Sequence, residues 1–198
     1  MIFRVSEAES YRQWRNDEDA DMGSLLARLS GAVPPSEAMR AGTAFHKALE
    51  DAKDGEADTL EAEGYRFIII ADITLALPSI REVRAYKDYG GITITGKLDV
   101  LDGRRVEDHK TTAQFNPDHY LEGFQWRYYL DLFGADCFRW NVFELKPLDE
   151  PRLYEVRGFH QLEQWRYPSM ERDCRDLAID LAAFAADHMP ERRIQCAA

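Results

Sequence analysis

The sequence has few cysteines, and this scarcity argues against disulfide-stapled and cysteine-rich metal proteins. Its three cysteines, Cys137, Cys174 and Cys196, are odd in number and far apart. They lack the CxxC pairs that hold zinc or iron–sulfur groups, and widely spaced unpaired thiols are typical of a reducing compartment. We therefore expect reduced, mainly buried cysteines and no iron–sulfur cluster.

Long hydrophobic runs are also missing, which argues against a membrane protein. The longest apolar run, Phe67–Ala71, is far shorter than the roughly 20 residues that a membrane-spanning helix needs. The first residues, Met1–Arg4, do not lead into the apolar core and small-residue cleavage site of a secretory signal. We expect a cytoplasmic protein without a membrane partner.

Basic residues are also relatively few. The sequence contains 25 lysines and arginines and 36 aspartates and glutamates, which gives a net charge of -11. This balance weighs against broad electrostatic binding of nucleic acid, which depends on basic side chains at phosphates. It does not exclude a nucleic-acid substrate, because an enzyme that collects carboxylates to hold divalent cations is acidic without them. A restricted basic surface could still meet such a substrate.

The length of 198 residues, with 45% hydrophobic and 12% aromatic residues, suits a single domain over residues 1–198 with a substantial core. Hydrophobic periodicity predicts an α/β fold with a mixed sheet. The predicted elements are a short helix within 1–33, a helix over 36–54, strands over 65–70, 73–77 and 81–86, a hairpin over 92–111, a helix over 117–133, strands over 138–145 and 152–159, and a helix over 169–189.

A predicted hairpin in the middle of the chain carries the main chemical signal. Alternating and β-branched residues in 92–101 and 104–111 flank Asp102-Gly103, a dipeptide suited to a two-residue type I′ turn. That turn would pair Leu101 with Arg104. Counting outward places Asp99 opposite Val106, Lys97 opposite Asp108, and Thr95 opposite Lys110.

On this register, Asp99, Asp108 and Lys110 share one face of the hairpin. The two carboxylates could reach one hard cation, and the lysine could reach whatever that cation holds. From the hairpin alone the alternative is a solvated face whose ion pairs, such as Lys97 with Asp108, have little energetic value.

Two residues before the hairpin are further candidates. His46 follows Gly42 by one turn of a predicted helix that Ser36 caps. It could look from the helix edge into a cleft, or it could be a partly buried structural histidine. Glu82 could add a third carboxylate to the site or pair with Arg84.

The helix after the hairpin offers two more candidates. Asn116 as the cap and Pro117 at the first position begin this helix, and Gly134 ends it. Gln125 and Tyr129 stand one turn apart and could donate hydrogen bonds to one polyanionic ligand. Alternatively, they belong to an ordinary amphipathic aromatic helix.

Four segments, taken in order, resemble the motifs of the PD-(D/E)XK nucleases. They are Gly42-Thr43-Ala44-Phe45-His46 on a helix, Gly96-Lys97-Leu98-Asp99 and Asp108-His109-Lys110-Thr111 on strands, and Gln125-Trp126-Arg127-Tyr128-Tyr129 on a helix. This order is most similar to the RecB-like exonuclease branch, which includes phage recombination exonucleases. The likeness spans about residues 40–130 and implies a restriction-endonuclease-like α/β core, with a central mixed sheet flanked by helices.

The resemblance implies hydrolysis of DNA phosphodiester bonds with one or two Mg²⁺ or Mn²⁺ ions. Lys110 would position the attacking water and stabilise charge on the phosphate. Gln125 and Tyr129 would hold the DNA backbone. The implied metal ligands are Asp99, Asp108, His46, the backbone carbonyl of His109 and, as a further candidate, Glu82.

The likeness to the RecB-like branch also implies an exonuclease of phage or bacterial DNA recombination or repair. DNA would be its partner, a separate single-strand annealing protein could accompany it, and relatives form homo-oligomeric rings around DNA. The chain departs from some relatives because it cannot supply four cysteines for an iron–sulfur cluster. It also lacks the phosphate loop of the helicases fused to others.

Three other interpretations stay open. The chain could be a structure-specific endonuclease of the same fold, or a non-catalytic DNA-binding or assembly protein that keeps this fold. It could also be an unrelated α/β domain with a structural hairpin, which a large distance from His46 to Asp99 and Asp108 would indicate.

Overall fold

The computed structural model describes residues 1–52, 58–73 and 80–191, so the predicted strand over 73–77 lies almost entirely outside the described residues, as does Cys196. The helices in these ranges are α1 (Val5–Asn16), α2 (Met22–Leu29), α3 (Glu37–Asp51), α4 (Pro117–Leu121), α5 (Gln125–Phe133) and α6 (Met170–His188). The strands are β1 (Ile2–Arg4), β2 (Thr59–Ala62), β3 (Tyr65–Ile69), β4 (Arg84–Asp88), β5 (Thr93–Lys97), β6 (Val100–Asp102), β7 (Arg105–Thr112), β8 (Cys137–Pro147) and β9 (Leu153–Trp165).

A six-stranded mixed sheet forms the larger of two sheets, in the order β2-β3-β9-β8-β7-β6. The pairs β3/β9 and β7/β8 are parallel, and the other neighbours are antiparallel. This arrangement confirms the predicted α/β class with a mixed sheet. The long strands β8 and β9 confirm the predicted strand pair, although both extend further than the sequence indicated.

Helices cover both faces of the six-stranded sheet. On one face, α3 packs Phe45 against Phe67 and Phe143. On the other face, α1, α5 and α6 enclose a second cluster that includes Phe138 and Met170. Alternate side chains of β8 therefore pack into two separate hydrophobic clusters, because successive side chains of a strand point to opposite faces.

The last helix follows its predicted pattern. Its buried residues include the whole predicted stripe, Met170, Cys174, Leu177, Leu181 and Phe184. Cys137 and Cys174 are buried and unpaired, as expected for these two thiols. Among the helices of the described ranges, none has the length and apolarity to cross a bilayer.

The predicted hairpin is divided between the two sheets. Strand β5 belongs to a three-stranded sheet in the order β1-β5-β4, and the chain enters the larger sheet only at β6. Thr95 therefore lies opposite Tyr86, and Lys97 opposite Arg84, so neither has the predicted partner on β7. The alternation of apolar and polar residues continues through both strands and does not show where the chain changes sheet.

The turn of the hairpin is also displaced from its predicted position. Asp102 pairs with Arg105, so Gly103 and Arg104 form the two-residue loop. Of these two, only Gly103 has a positive φ, at 59°, whereas a type I′ turn requires it at both central residues. The register of β6 on β7 is therefore two residues away from the predicted one.

The predicted helix over 117–133 is broken into α4 and α5. The carboxylate of Glu9, on α1, accepts the N–H groups of Phe124 at 2.6 Å and Gln125 at 3.1 Å. It thereby caps a new helix start, because the first N–H groups of a helix have no partner within it. Gly134 ends α5 with a φ of 61°, which confirms the predicted C-terminus.

Candidate active site

Strand β7 presents Asp108 and Lys110 on the same face, since they lie two residues apart in a strand that pairs regularly with β8. Nζ of Lys110 is 2.5 Å from Oδ2 of Asp108, and the Asp108 side chain is only 5% exposed. The D-x-K motif is therefore an ion pair with its carboxylate inside the protein and its lysine at the margin.

Asp99 reaches this pair from the link between β5 and β6. Its Oδ2 accepts the backbone N–H of His109 at 2.6 Å. Strand β6 pairs with β7 only from Asp102 to Val100, which lies opposite Glu107. Beyond that point, the Asp99 carboxylate takes the place of a strand partner and is held next to the D-x-K segment.

The backbone carbonyl of His109 faces the same side as Asp99. The N–H and C=O groups of one strand residue point to the same side, as in the pairs that exchange both hydrogen bonds. Because the N–H of His109 points to Asp99, its carbonyl does too. The carbonyl that the resemblance implies as a metal ligand therefore points to the Asp99 side of β7.

His46 approaches from α3. Its Nδ1 is 3.7 Å from Oδ2 of Asp99, and its ring centroid is 6.2 Å from that of His109. Helix α3 can come this close because Gly42 has no side chain: a Cβ there would lie 2.7 Å from Oγ1 of Thr111. The separation that would have indicated an unrelated domain is not observed.

We expect Gly42→Ala to destabilise the protein by about 1–3 kcal/mol, because overpacking forces α3 away from β7. Thr111 is β-branched and cannot easily turn its Oγ1 aside. Thr111→Ala should rescue the variant, since the Cβ of Thr111 would be 3.9 Å away, an ordinary contact. Urea unfolding of the parent, both single variants and the double variant measures this effect. Equal stability of Gly42→Ala and the parent would contradict it.

Burial sets the protonation states of the site. Burial raises the pKa of both Asp99 and Asp108, and the nearby Lys110 ammonium opposes this rise. Burial lowers the pKa of Lys110, but Asp108 and Asp99 outweigh this and raise it overall. Burial lowers the pKa of His46 to about 4, aided by Lys110, and that of His109 also to about 4. Both imidazoles are therefore neutral at pH 7.

The carboxylate, carbonyl and imidazole groups of the site are of the types that bind a divalent cation. Oδ2 of Asp108 is buried, and its partner is the Lys110 ammonium at 2.5 Å. Carboxylate and carbonyl oxygens suit Mg²⁺ and Mn²⁺, and a neutral imidazole suits Mn²⁺. Across the described ranges, no three histidine, cysteine or carboxylate side chains already converge as a metal site. A cation would therefore have to replace Lys110 at Asp108, and His46 and Asp99 would have to close on it.

Glu82 lies beside Asp99 but neutralises Lys97. The N–H of Glu82 donates to the carbonyl of Asp99 at 3.1 Å, and its carboxylate forms an ion pair with Nζ of Lys97. Its φ of 59° is uncommon for a residue with a side chain. The predicted alternative in which Glu82 pairs with Arg84 is not observed, because Glu82 pairs with Lys97. Lys97 lies opposite Arg84 and not, as the predicted register required, opposite Asp108.

The Tyr129 side chain is buried and forms a hydrogen bond within the protein. Tyr129 is 7% exposed, and its hydroxyl donates to the carbonyl of Lys97 at 2.9 Å. A Cβ on Gly96 would lie 3.0 Å from the Tyr129 ring, which explains the glycine of the G-x-x-D segment. Contact of Tyr129 with DNA stays a prediction, and the observed contact fixes the backbone two residues before Asp99.

A cleft of about 210 Å³ opens beside Lys110. Gln125 lines it, so one of the two predicted DNA-binding residues faces the space next to the D-x-K pair. Two larger clefts, of about 340 and 270 Å³, contain none of the predicted site residues. Sequence reasoning missed several other residues that line the cleft at Lys110, namely Glu9, Gln13, His119, Tyr120 and Trp140.

A buried polar network that the sequence did not indicate supports β7 from its other face. Nδ2 of Asn141 donates to Glu107 at 2.8 Å and lies 3.4 Å from Nδ1 of His109, and Gln161 donates to Oδ1 of Asn141 at 2.8 Å. Asn141 is fully buried, so these bonds satisfy a group that would otherwise destabilise the fold. They hold the strand that carries Asp108 and Lys110.

Comparisons with known proteins bear on the fold alone. The chain is similar to the crystal structure of SSO0001, with a TM-score of 0.55 and 17% sequence identity over 92% of this chain and 76% of that one. The likeness is structural only. No protein-family model and no curated protein matches the sequence. The site must therefore be interpreted from its own residues.

Proposed function

We propose that the chain is a metal-dependent deoxyribonuclease with a restriction-endonuclease-like core. The observation that carries this proposal is the grouping of Asp99, Asp108 and Lys110, with His46 3.7 Å from Asp99, although these residues come from separate elements. The grouping matches the order and the residue types of the first three of the four motifs. A buried carboxylate paired with a lysine at the edge of a cleft also supports it, because groups whose pKa is perturbed by burial and by a specific charged partner cluster at functional sites.

In this proposal, Asp99 and Asp108 would hold the cation, together with His46 and the carbonyl of His109. A bound Mg²⁺ or Mn²⁺ would neutralise phosphate charge and make a water molecule more acidic. Lys110, now paired with Asp108, would direct its ammonium to the phosphate and the attacking water. The DNA backbone approaches through the cleft that Gln125 lines.

We infer exonuclease action, rather than structure-specific endonuclease action, from the likeness of the four motifs to the RecB-like branch. With Mg²⁺ or Mn²⁺, the protein should degrade linear duplex DNA to nucleotides and leave covalently closed circular DNA intact, because an exonuclease needs a strand end. Gel analysis of both substrates measures this difference. EDTA should stop the reaction. Rapid loss of the circle would identify an endonuclease, and no cleavage of any DNA with either ion would contradict the proposed function.

A further inference from the structure

The three-stranded sheet has one face in the core and one mostly in solvent, although Thr95 in the middle strand of the outer face is 6% exposed. On β5, Ile94 is buried and Gly96 lies against the Tyr129 ring, so these residues mark the inner face. Because side chains alternate, the paired residues between them mark the outer face. The outer face carries Ile2 and Arg4 on β1, Thr93, Thr95 and Lys97 on β5, and Arg84, Tyr86 and Asp88 on β4.

Tyr86 is the most exposed large hydrophobic side chain in the described ranges, at 63%. It stands on β4, one of the two edge strands of its sheet. A phenol ring held on a strand offers a flat surface with few torsions to restrict, which suits stacking of a planar ligand. Unpaired nucleic-acid bases stack on such exposed aromatic rings without sequence preference.

Cations flank Tyr86 on the same face. Arg84 is two residues away on β4, and Lys97 lies opposite Arg84 on β5. Arg84 forms no ion pair within the described part of the chain, whereas Lys97 pairs with Glu82. The carboxylate of Asp88 is occupied by the N–H groups of the turn that follows it. In a chain of net charge -11, Arg84 beside Tyr86 is thus an available cation next to an aromatic platform.

This face leads directly to the candidate active site. Lys97 ends β5 and precedes Asp99 by two residues, which span at most about 7 Å. The hydroxyl of Tyr129 fixes the carbonyl of Lys97, so this short path has a defined course. A strand that contacts Arg84 and Lys97 would arrive at the carboxylate of Asp99.

We propose that the outer face formed by Arg84, Tyr86 and Lys97 binds an unpaired DNA strand and delivers it to Asp99. A base stacks on Tyr86 and Arg84 contacts a phosphate, while Lys97, paired with Glu82, lies on the path to Asp99. The strand must be unpaired, because the base faces of a duplex are already stacked on one another. This inference rests on the proposed function for its substrate, but its test does not depend on cleavage.

The test is fluorescence anisotropy of a labelled oligothymidylate in EDTA, where no metal-dependent cleavage occurs. Tyr86→Ala should weaken binding about tenfold, in line with the loss of one stacked base, and Tyr86→Trp should retain it. Trp165 is the matched control, since it is 61% exposed but lies on β9 in the other sheet. Trp165→Ala should leave the affinity unchanged.

Salt dependence separates the phosphate contact from the stacking contact. Arg84→Gln should reduce the slope of log affinity against log salt concentration by about 0.7, the value for one phosphate contact on a single strand. Tyr86→Ala should lower the affinity at every salt concentration and keep the slope. Thermal melting of each variant checks that the fold is intact.

Two results would overturn the inference: equal affinity for the oligothymidylate and for a duplex of the same length, or equal effects of Tyr86→Ala and Trp165→Ala. Binding that behaves as expected in a protein that cleaves no DNA would support this surface and refute the nuclease activity. If the protein cleaves DNA but Tyr86→Ala leaves its affinity for the oligothymidylate unchanged, the nuclease activity is supported and this binding surface is refuted.

Discussion

Replacing Lys110 with alanine is expected to slow metal-dependent DNA cleavage by about 10²–10⁴-fold, the range for a positioned acid–base or electrostatic group. In the structure, Lys110 forms an ion pair with the buried carboxylate of Asp108, and its side chain is 31% exposed at the cleft. It is therefore the cation best placed to move from Asp108 to a phosphate. Single-turnover degradation of labelled linear DNA measures the loss.

Two variants control this experiment. Lys110→Met keeps the length of the side chain without its charge and should be as inactive as the alanine variant. Lys47, on α3, is 43% exposed and forms ion pairs with Glu50 and Asp51, so Lys47→Ala removes a comparable charge outside the site. It should retain the parent rate. A Lys110→Ala protein that degrades DNA as fast as the parent would refute the mechanism.

A stability measurement separates the two roles of Lys110. Without the ammonium, Asp108 is left buried without a counter-charge, which should lower the free energy of unfolding by about 1–3 kcal/mol. Mg²⁺ should then stabilise Lys110→Ala more than it stabilises the parent, because ligand binding to the folded state raises its stability and the cation no longer competes with lysine. Thermal melting with and without MgCl₂ tests this expectation.

The chemical grouping could be predicted from the sequence because a register error of two residues leaves every side chain on its own face. The predicted turn paired Leu101 with Arg104, whereas the structure pairs Leu101 with Val106. The shared face of Asp108 and Lys110 depends only on their spacing within one strand. It therefore survives the error, while the predicted neighbours across the hairpin do not.

What the sequence could not show depends on contacts between distant residues. The break between α4 and α5 is made by Glu9, 115 residues before Phe124. The transfer of the chain between sheets at Leu98 depends on its N–H bonding the carbonyl of Val83 and on its full burial. Neither contact leaves a local signal, because the hydrophobic pattern on both sides is already regular. Tertiary partners, not propensity, decide these boundaries.

The glycines of two motifs show how a sequence signal acquires a physical reason. Gly42 allows α3 to approach Thr111, and Gly96 allows the ring of Tyr129 to approach β5. In the sequence, these two glycines are identified only as the first residues of two segments that resemble nuclease motifs. In the structure, each brings a helix close enough to place one site residue, His46 in the first case and the backbone leading to Asp99 in the second.

Replacing Asp99 should weaken cation binding, and the choice of substitution separates this effect from damage to the fold. Asp99 carries a charge and also accepts the His109 N–H at 2.6 Å. Asp99→Asn keeps an oxygen for that hydrogen bond and loses the charge. It should melt close to the parent, while its affinity for Mn²⁺, measured by titration calorimetry, falls at least tenfold, consistent with the loss of one anionic ligand.

Asp99→Ala removes both functions and should in addition lose about 1–3 kcal/mol of stability, because a buried N–H is left without an acceptor. Asp180→Asn is the control, since Asp180 is an exposed partner of Arg15 and its loss changes the net charge by the same amount. If Asp99→Asn bound Mn²⁺ as tightly as the parent and Asp180→Asn do, Asp99 would be only a structural acceptor for β7. The metal-dependent mechanism would then lose one of its two carboxylates.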